Sequence, residues 1–209
     1  MQITAIEPQK RHPERVNVHV DGSFRLALAA EIANGAALRA GDAITEERLG
    51  ELERQDQRWK AREAALVLLS FRPRTRSELR GRLIRKDFPE EVAEETVAAL
   101  VEKGLVSDDS FAEVFVRDRT RLRPKGKRRL VQELRAKGVD AETAHAAVEE
   151  VWEREEVSEL DLAREAAAKW SPRAGEEPLR ARRRLFGFLQ RRGFSGDAIR
   201  QVMDEVLSK

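Results

Sequence analysis

The chain has no cysteine, which excludes disulfides, thiolate catalysis and cysteine-ligated zinc or iron–sulfur centres together. No apolar run approaches the roughly 18 residues that a membrane span needs, and the start of the chain lacks a basic-then-apolar leader pattern. The three histidines, His12, His19 and His145, sit at no metal spacing, and no Gly-x4-Gly-Lys-Ser/Thr loop exists to cradle phosphates. Net charge is scarce too, since 40 Lys and Arg against 38 Asp and Glu leave only +2. Charge itself is abundant: charged residues make up 37% beside a hydrophobic 41%, where roughly 25% charged is usual. That combination favours amphipathic helices over disorder. The expectation is a soluble cytoplasmic protein of one or two domains, or an array of small repeats, with no membrane contact.

The balanced total hides alternating blocks. Lys plus Arg minus Asp plus Glu is −3 over residues 1–57, +8 over 58–86 and −8 over 87–116. It is then +8 over 117–137, −8 over 138–163, +6 over 164–195 and −1 over 196–209. Screening acts over about 8 Å at physiological salt, so a partner touching one block barely senses the next.

An internal repeat of about 50 residues causes the alternation. Leu79 to Phe88, Leu130 to Val139 and Leu185 to Phe194 all read Leu-x3-Leu-x2-basic-small/polar-apolar, at offsets of 51 and 55 residues. Downstream the agreement continues without a gap, through Val92/Thr143/Ala198, Thr96/Ala147/Val202, Val97/Val148/Met203 and Leu100/Val151/Val206. These spacings put one apolar stripe on one helix face. Each unit thus holds a basic helix, a tight turn and an acidic helix. Gly138 and Gly193 suit the left-handed residue past a helix end, and Asp140 and Ser195 suit the N-cap that follows. Asp87 stands where the other two units have glycine, and Asp tolerates that conformation better than most residues. A third helix precedes each pair, over Lys60–Leu69, Phe111–Val116 and Leu160–Trp170.

The first 57 residues differ. Val16, Val18 and Val20 alternate, Asp21-Gly22 follows, and Phe24, Leu26 and Leu28 alternate again, which is a β-hairpin signal. A strict two-residue turn would face the valines against Ser23 and Arg25, so a bulge or a longer loop is needed. Ile3 to Ile6 offers a third strand, and Thr45 with Glu46 and Glu47 starts a helix into the repeats. The fold class expected is mainly α: three tandem three-helix repeats in an elongated solenoid, behind a small N-terminal β-hairpin or three-stranded element. The domains are 1–57 for that extension with its linker helix, then repeats at 58–107, 108–156 and 157–209.

No constellation of catalytic residues stands out. Asp108-Asp109-Ser110 precedes a helix, where such residues cap free amides rather than hold a metal. The basic segments are the candidates, and two positions are basic in all three units: Arg76/Lys127/Arg182 and Lys86/Lys137/Arg192. The second set sits at helix C-termini, which the helix dipole explains. The first lies near helix N-termini, where the dipole disfavours cations, so it asks for a functional account.

Three stretches carry a family resemblance: Leu68 to Leu79, which reads Leu-Leu-Ser-Phe-Arg-Pro-Arg-Thr-Arg-Ser-Glu-Leu; Gly104 to Ala112, Gly-Leu-Val-Ser-Asp-Asp-Ser-Phe-Ala; and Lys125 to Leu130, Lys-Gly-Lys-Arg-Arg-Leu. Over residues 58–209 the chain resembles the RecX regulatory proteins of bacteria, and the hairpin looks like the extension that some members carry. Asp87 and the long link around Gly175 depart from the pattern. The resemblance implies a negative modulator of the RecA recombinase in recombination, repair and the SOS response. Such a protein lies along the groove of RecA–DNA filaments and suppresses ATPase, strand exchange and coprotease activities, by blocking growth or promoting disassembly. It implies no catalytic residue, no metal and no cofactor. Carried over residue by residue, the contact candidates are Arg72, Arg74 and Arg76, then Lys125, Lys127, Arg128 and Arg129. The repeat extends them to Arg182, Arg183 and Arg184. The partners expected are the RecA filament and, weakly or with RecA's help, single- or double-stranded DNA, with the protein acting as a monomer.

Two other readings compete. A nucleic-acid binder would use the same basic helices on DNA alone, with steep salt dependence. A structural scaffold would carry its charges only for solubility.

Overall fold

The computed structural model describes residues 1–207, with side chains through Glu205. Val206, the last member of the apolar stripe, therefore has no described side chain, and Ser208 and Lys209, the end of the expected third repeat, lie outside the described residues. The chain forms two compact units: Met1–Arg72 with Leu79–Glu102, and Pro73–Glu78 with the chain from Lys103 onward.

In the first unit, strands β1 (Ile3–Pro8), β2 (Arg15–Val20) and β3 (Ser23–Ala29) form an antiparallel sheet in the order β1-β2-β3. The turn is the strict two-residue form, with Val20 opposite Ser23 and both Asp21 and Gly22 at positive φ (49° and 82°). A bulge between Val18 and His19 then resets the register, so that Val18 faces Leu26 and Val16 faces Leu28. Without it the valines and leucines would point to opposite faces; with it both sets enter one core alongside Ile3, Ile44, Leu49 and Leu52.

A short helix α1 (Ala30–Gly35) follows the sheet, with no distinct signal in the sequence. Helix α2 (Glu46–Phe71) is capped by Thr45, whose side chain accepts from Arg48 N. The two helices expected from Thr45 and from Lys60 are one, because no Gly or Pro interrupts residues 51–71. Residue 58 consequently falls in mid-helix. Asp56, on α2, ties the sheet to the helix. Its carboxylate is buried and accepts from Ala29 N at 2.8 Å and from Arg15 at 2.9 Å, and pairs with Lys60 at 2.7 Å.

The remaining helices are α3 (Arg76–Ile84), α4 (Glu90–Glu102), α5 (Asp108–Leu122), α6 (Lys127–Arg135), α7 (Ala141–Arg154), α8 (Glu159–Ala168), α9 (Pro178–Arg191) and α10 (Gly196–Leu207). Each repeat is therefore three helices, with the C-terminal part of α2 serving as the first helix of repeat 1. The repeated leucines Leu79/Leu83, Leu130/Leu134 and Leu185/Leu189 are all buried, as are Thr96/Ala147/Val202 and Val97/Val148/Met203. Val92 and Thr143 are half-buried at the stripe's edge, where Ala198 is buried. Asp140 and Ser195 cap their helices as expected, accepting from Thr143 N and Ala198 N. The cap of α5 is Ser107 rather than the aspartates after it, which leaves Asp108 for another task.

Candidate functional site

Two joints of the same design run through the second unit. In the first, the α6–α7 turn meets the start of α3. Thr75 Oγ1 donates to Lys137 O at 2.6 Å and accepts from Glu78 N at 3.0 Å. A Cβ on Gly138 would lie 2.2 Å from Ser77 Cβ, so glycine alone fits. Asp108, at the head of α5, accepts from Arg76 N at 2.8 Å. In the second joint, the α9–α10 turn meets the start of α6. Gly126 N donates to Arg192 O at 2.9 Å, and Arg192 Nη1 donates to Pro124 O at 3.2 Å. A Cβ on Gly126 would stand 2.1 Å from Gly193 O, and one on Gly193 would stand 2.4 Å from Arg129 N.

The joints account for the odd residue in the repeat. Asp87 has the same left-handed backbone as Gly138 and Gly193, at φ 65°, yet it lies exposed. Only its conformation is constrained there, and aspartate satisfies that. Two of the three cations near helix N-termini also have partners inside the chain. The Arg76 guanidinium lies 4.0 Å from Asp108, and Lys127 pairs with Glu149 and sits over the Trp152 ring. Those positions are structural before they are anything else.

The second joint forms the floor of an open groove of about 960 Å³. The α5–α6 segment contributes Arg123, Lys125, Arg128 and Arg129; the third repeat contributes Lys169, Arg191 and Arg192. Among the described residues no carboxylate lines it. Behind this wall Glu133 pairs with Lys125, with Arg129 at 3.0 Å and with Arg119 at 3.6 Å. Burial pushes the Glu133 carboxyl up, but hydrogen bonds from Lys125 and Arg129 and the nearby positive charge outweigh it and hold the group below its usual range. Glu133 therefore stays ionised and fixes two lining cations in place. Among the described residues Arg123, Arg128 and Arg191 make no ion pair, so their charge faces solvent uncompensated. Seven cations around one trough raise the local anion potential well above what a net charge of +2 suggests.

The expected contact residues are sorted by this geometry. Lys125, Arg128 and Arg129 line the groove. Arg74 is buried and pairs with Glu78 at 2.8 Å, and Arg184 pairs with Glu176 over the Trp170 ring. Arg72 caps the end of α2 in the other unit and is exposed. Arg182 and Arg183 are exposed and line a different groove. The groove adds Arg123, Lys169, Arg191 and Arg192 to the expected set. Arg191 and Arg192 were legible as a basic pair, but their position at a helix end gave them a sufficient local reason. Lys169 ends α8 and had no repeat partner to mark it.

Tandem three-helix units tied at each joint, with a cationic trough above one of them, define a helical-repeat protein. Sequence models confirm and narrow that class. The chain belongs to the RecX family of regulatory proteins. The family's N-terminal domain matches residues 1–45, and its first, second and third three-helix domains match 61–100, 107–148 and 157–203. Regulatory protein RecX of Clostridioides difficile is 30% identical over 207 residues, covering 99% of this chain and 96% of that protein. The Corynebacterium efficiens protein of the same name is 39% identical over 163 residues, covering 73% of this chain and 76% of its own length. A crystal structure of regulatory protein RecX covers 97% of this chain and 98% of its own, with a TM-score of 0.80 at 26% identity. RecX from Lactobacillus salivarius covers 74% of this chain, with a TM-score of 0.60.

Proposed function

We propose that this protein is a negative regulator of the RecA recombinase that binds RecA–DNA filaments along their groove. It suppresses ATP hydrolysis, strand exchange and coprotease activity by blocking filament growth or promoting disassembly, and acts as a monomer. Family membership supports the partner, and the observation that carries the contact surface is the carboxylate-free cationic trough between α6 and α9. A filament presents the same acidic side chains and phosphates at every subunit, and a trough held open by backbone contacts meets them without reorganising. The same seven cations suit a nucleic-acid backbone, which keeps the DNA-binding reading as the second one.

The test is RecA ATP hydrolysis on preloaded single-stranded DNA, with this protein titrated in well below the recombinase concentration. Binding to the bare DNA at the same salt is the control. Wild type is expected to inhibit at a small ratio. The double variant Arg128→Glu, Arg191→Glu is expected to need roughly tenfold more protein, because both cations sit in the trough with no internal partner to lose. Undiminished hydrolysis beside tight bare-DNA binding overturns the proposal in favour of a nucleic-acid binder.

A further inference from the structure

A second groove, about 530 Å³, lies between α9 and α10, away from the cationic trough. Leu179, Phe186 and Met203 give it an apolar floor, with Leu179 55% and Phe186 42% exposed. Arg182, Arg183 and Arg200 stand around it, and among the described residues Asp204 is the one carboxylate in its lining. Among the described residues Arg182 and Arg183 make no ion pair, while Arg200 pairs with Asp197 on its own helix.

The repeat says what such a groove is for. Fifty-five residues earlier, Lys127, Arg128, Val131, His145 and Glu149 occupy the positions of Arg182, Arg183, Phe186, Arg200 and Asp204. Those five residues also line a groove, of only about 270 Å³, and there it is covered by Glu159, Gly193 and Ser195 of the next repeat. Glu159 heads α8 and accepts from Ser195 N at 3.1 Å. Asp108 heads α5 at the equivalent position, and its hydrogen bond instead runs back to the preceding repeat, from Arg76 N at the start of α3. In repeat 2, then, the groove between the second and third helices has the acidic head of the next repeat's first helix, Glu159, in its lining. In repeat 3 no described residue covers the groove, and it is more apolar than its counterpart, with Phe186 in the place of Val131.

We infer that the α9–α10 groove docks an acidic, amphipathic helical segment of a partner protein, one or two carboxylates in its first turn meeting Arg182 and Arg183 and an apolar residue entering between Leu179, Phe186 and Met203. A second copy of this chain is a poor occupant. Its α3–α4 turn carries Asp87 where the docking turns carry glycine, and α2 runs unbroken where a fresh acidic helix head is required. The occupant is not a copy of the internal turn either. Gly126 N is the donor in the second joint, whereas the equivalent Ala181 N already donates to Glu177 O in the longer α9. A nucleic-acid strand would place phosphates against three apolar side chains and the Asp204 carboxylate, so protein is favoured over DNA. This surface stands whether or not the cationic trough meets a recombinase.

The test uses full-length protein and a capped, fluorescein-labelled amphipathic peptide with two aspartates in its first turn and a leucine stripe, read by anisotropy. Wild type is expected to bind it. Charge reversal by Arg182→Glu with Arg183→Glu is expected to weaken binding roughly tenfold or more, and changing the peptide's aspartates to asparagine to do the same. Leu179→Ser, at an exposed position that cannot unfold the repeat, is expected to weaken it severalfold. Absence of binding, equal binding by the reversed variant, or a preference for an oligo-thymidine strand over the peptide would each overturn the inference. Neither RecA nor DNA is present in the peptide assay, so its outcome is read separately from the ATPase result.

Discussion

Gly193→Ala is expected to destabilise the protein by about 3 kcal/mol and to lower its melting temperature by roughly 6–12 °C. Two costs combine at this residue. Its φ of +82° is disfavoured for any L side chain, and the new methyl would stand 2.4 Å from Arg129 N. That neighbour is backbone, so relief requires the α9–α10 turn to lift from the start of α6. The hydrogen bond from Gly126 N to Arg192 O goes with it, and hydrogen exchange at Gly126 reads that loss directly. Gly104→Ala is the matched control. Its φ is +68° but nothing lies within 4 Å of the added methyl, so only the conformational cost remains, about 1 kcal/mol. Equal destabilisation by the two variants would mean that the joint contributes nothing beyond a turn preference. Because the same contact forms the floor of the cationic trough, Gly193→Ala is also expected to weaken any partner bound there.

Asp56→Ala is expected to cost about 3–5 kcal/mol, localised to the sheet and the first half of α2. The substitution leaves Ala29 N without its acceptor and Arg15, 12% exposed, with the Ala27 carbonyl as its remaining hydrogen-bond partner. The effect depends on pH with a definite sign. Burial raises the Asp56 carboxyl, but hydrogen bonds from Arg15, Lys60 and the Ala29 amide outweigh it and hold the group below its ordinary 3.8. A carboxylate depressed in the folded state stabilises fully above its unfolded value and loses that contribution as the pH falls through the folded one. Wild type and variant should therefore differ most near neutrality and converge in strong acid. Exchange protection of the β2–β3 amides, measured at both ends of that range, decides it. A gap that persists unchanged into strong acid, where the carboxyl is protonated in both states, would assign the loss to packing rather than to charge.

Much of this architecture was legible because its causes are local. A stripe recurring at 4, 8, 9 and 12 residues can only be a helix face, and Gly138, Gly193 and Asp87 mark turns through their own backbone preferences. A bulge or a longer loop was legible as a need, since the alternation of valines and leucines was incompatible with a regular strict Asp21-Gly22 hairpin. Only the structure shows both features present, the bulge set at His19 and the tight turn kept. Where the reading was too fine, the cause was again local: two helix signals, at Thr45 and Lys60, with no Pro and only the tolerated Gly50 between them, gave one long helix.

The candidate surface was legible in a different degree. Composition found the basic clusters, but ten candidate cations divided into several fates. Arg74, Lys127 and Arg184 pair inside the chain, Lys125, Arg128 and Arg129 line the trough, and Arg182 and Arg183 line a separate groove. Arg76 was singled out because a cation near a helix N-terminus is unfavourable, and the compensation proved to be Asp108, 32 residues on in the chain. No periodicity encodes such a pairing.

By itself the sequence determined the helices of the repeats, the hairpin, the repeat and the family, because each depends on residues within a turn or two of one another or on a pattern repeated three times. Tertiary structure alone decided which cations keep an uncompensated charge, why glycine is required at Gly126, Gly138 and Gly193 but not at Asp87, and where the two grooves open. Those outcomes depend on which side chain or carbonyl stands within a few ångströms across 60 or so residues of chain, a separation at which local preference carries no information.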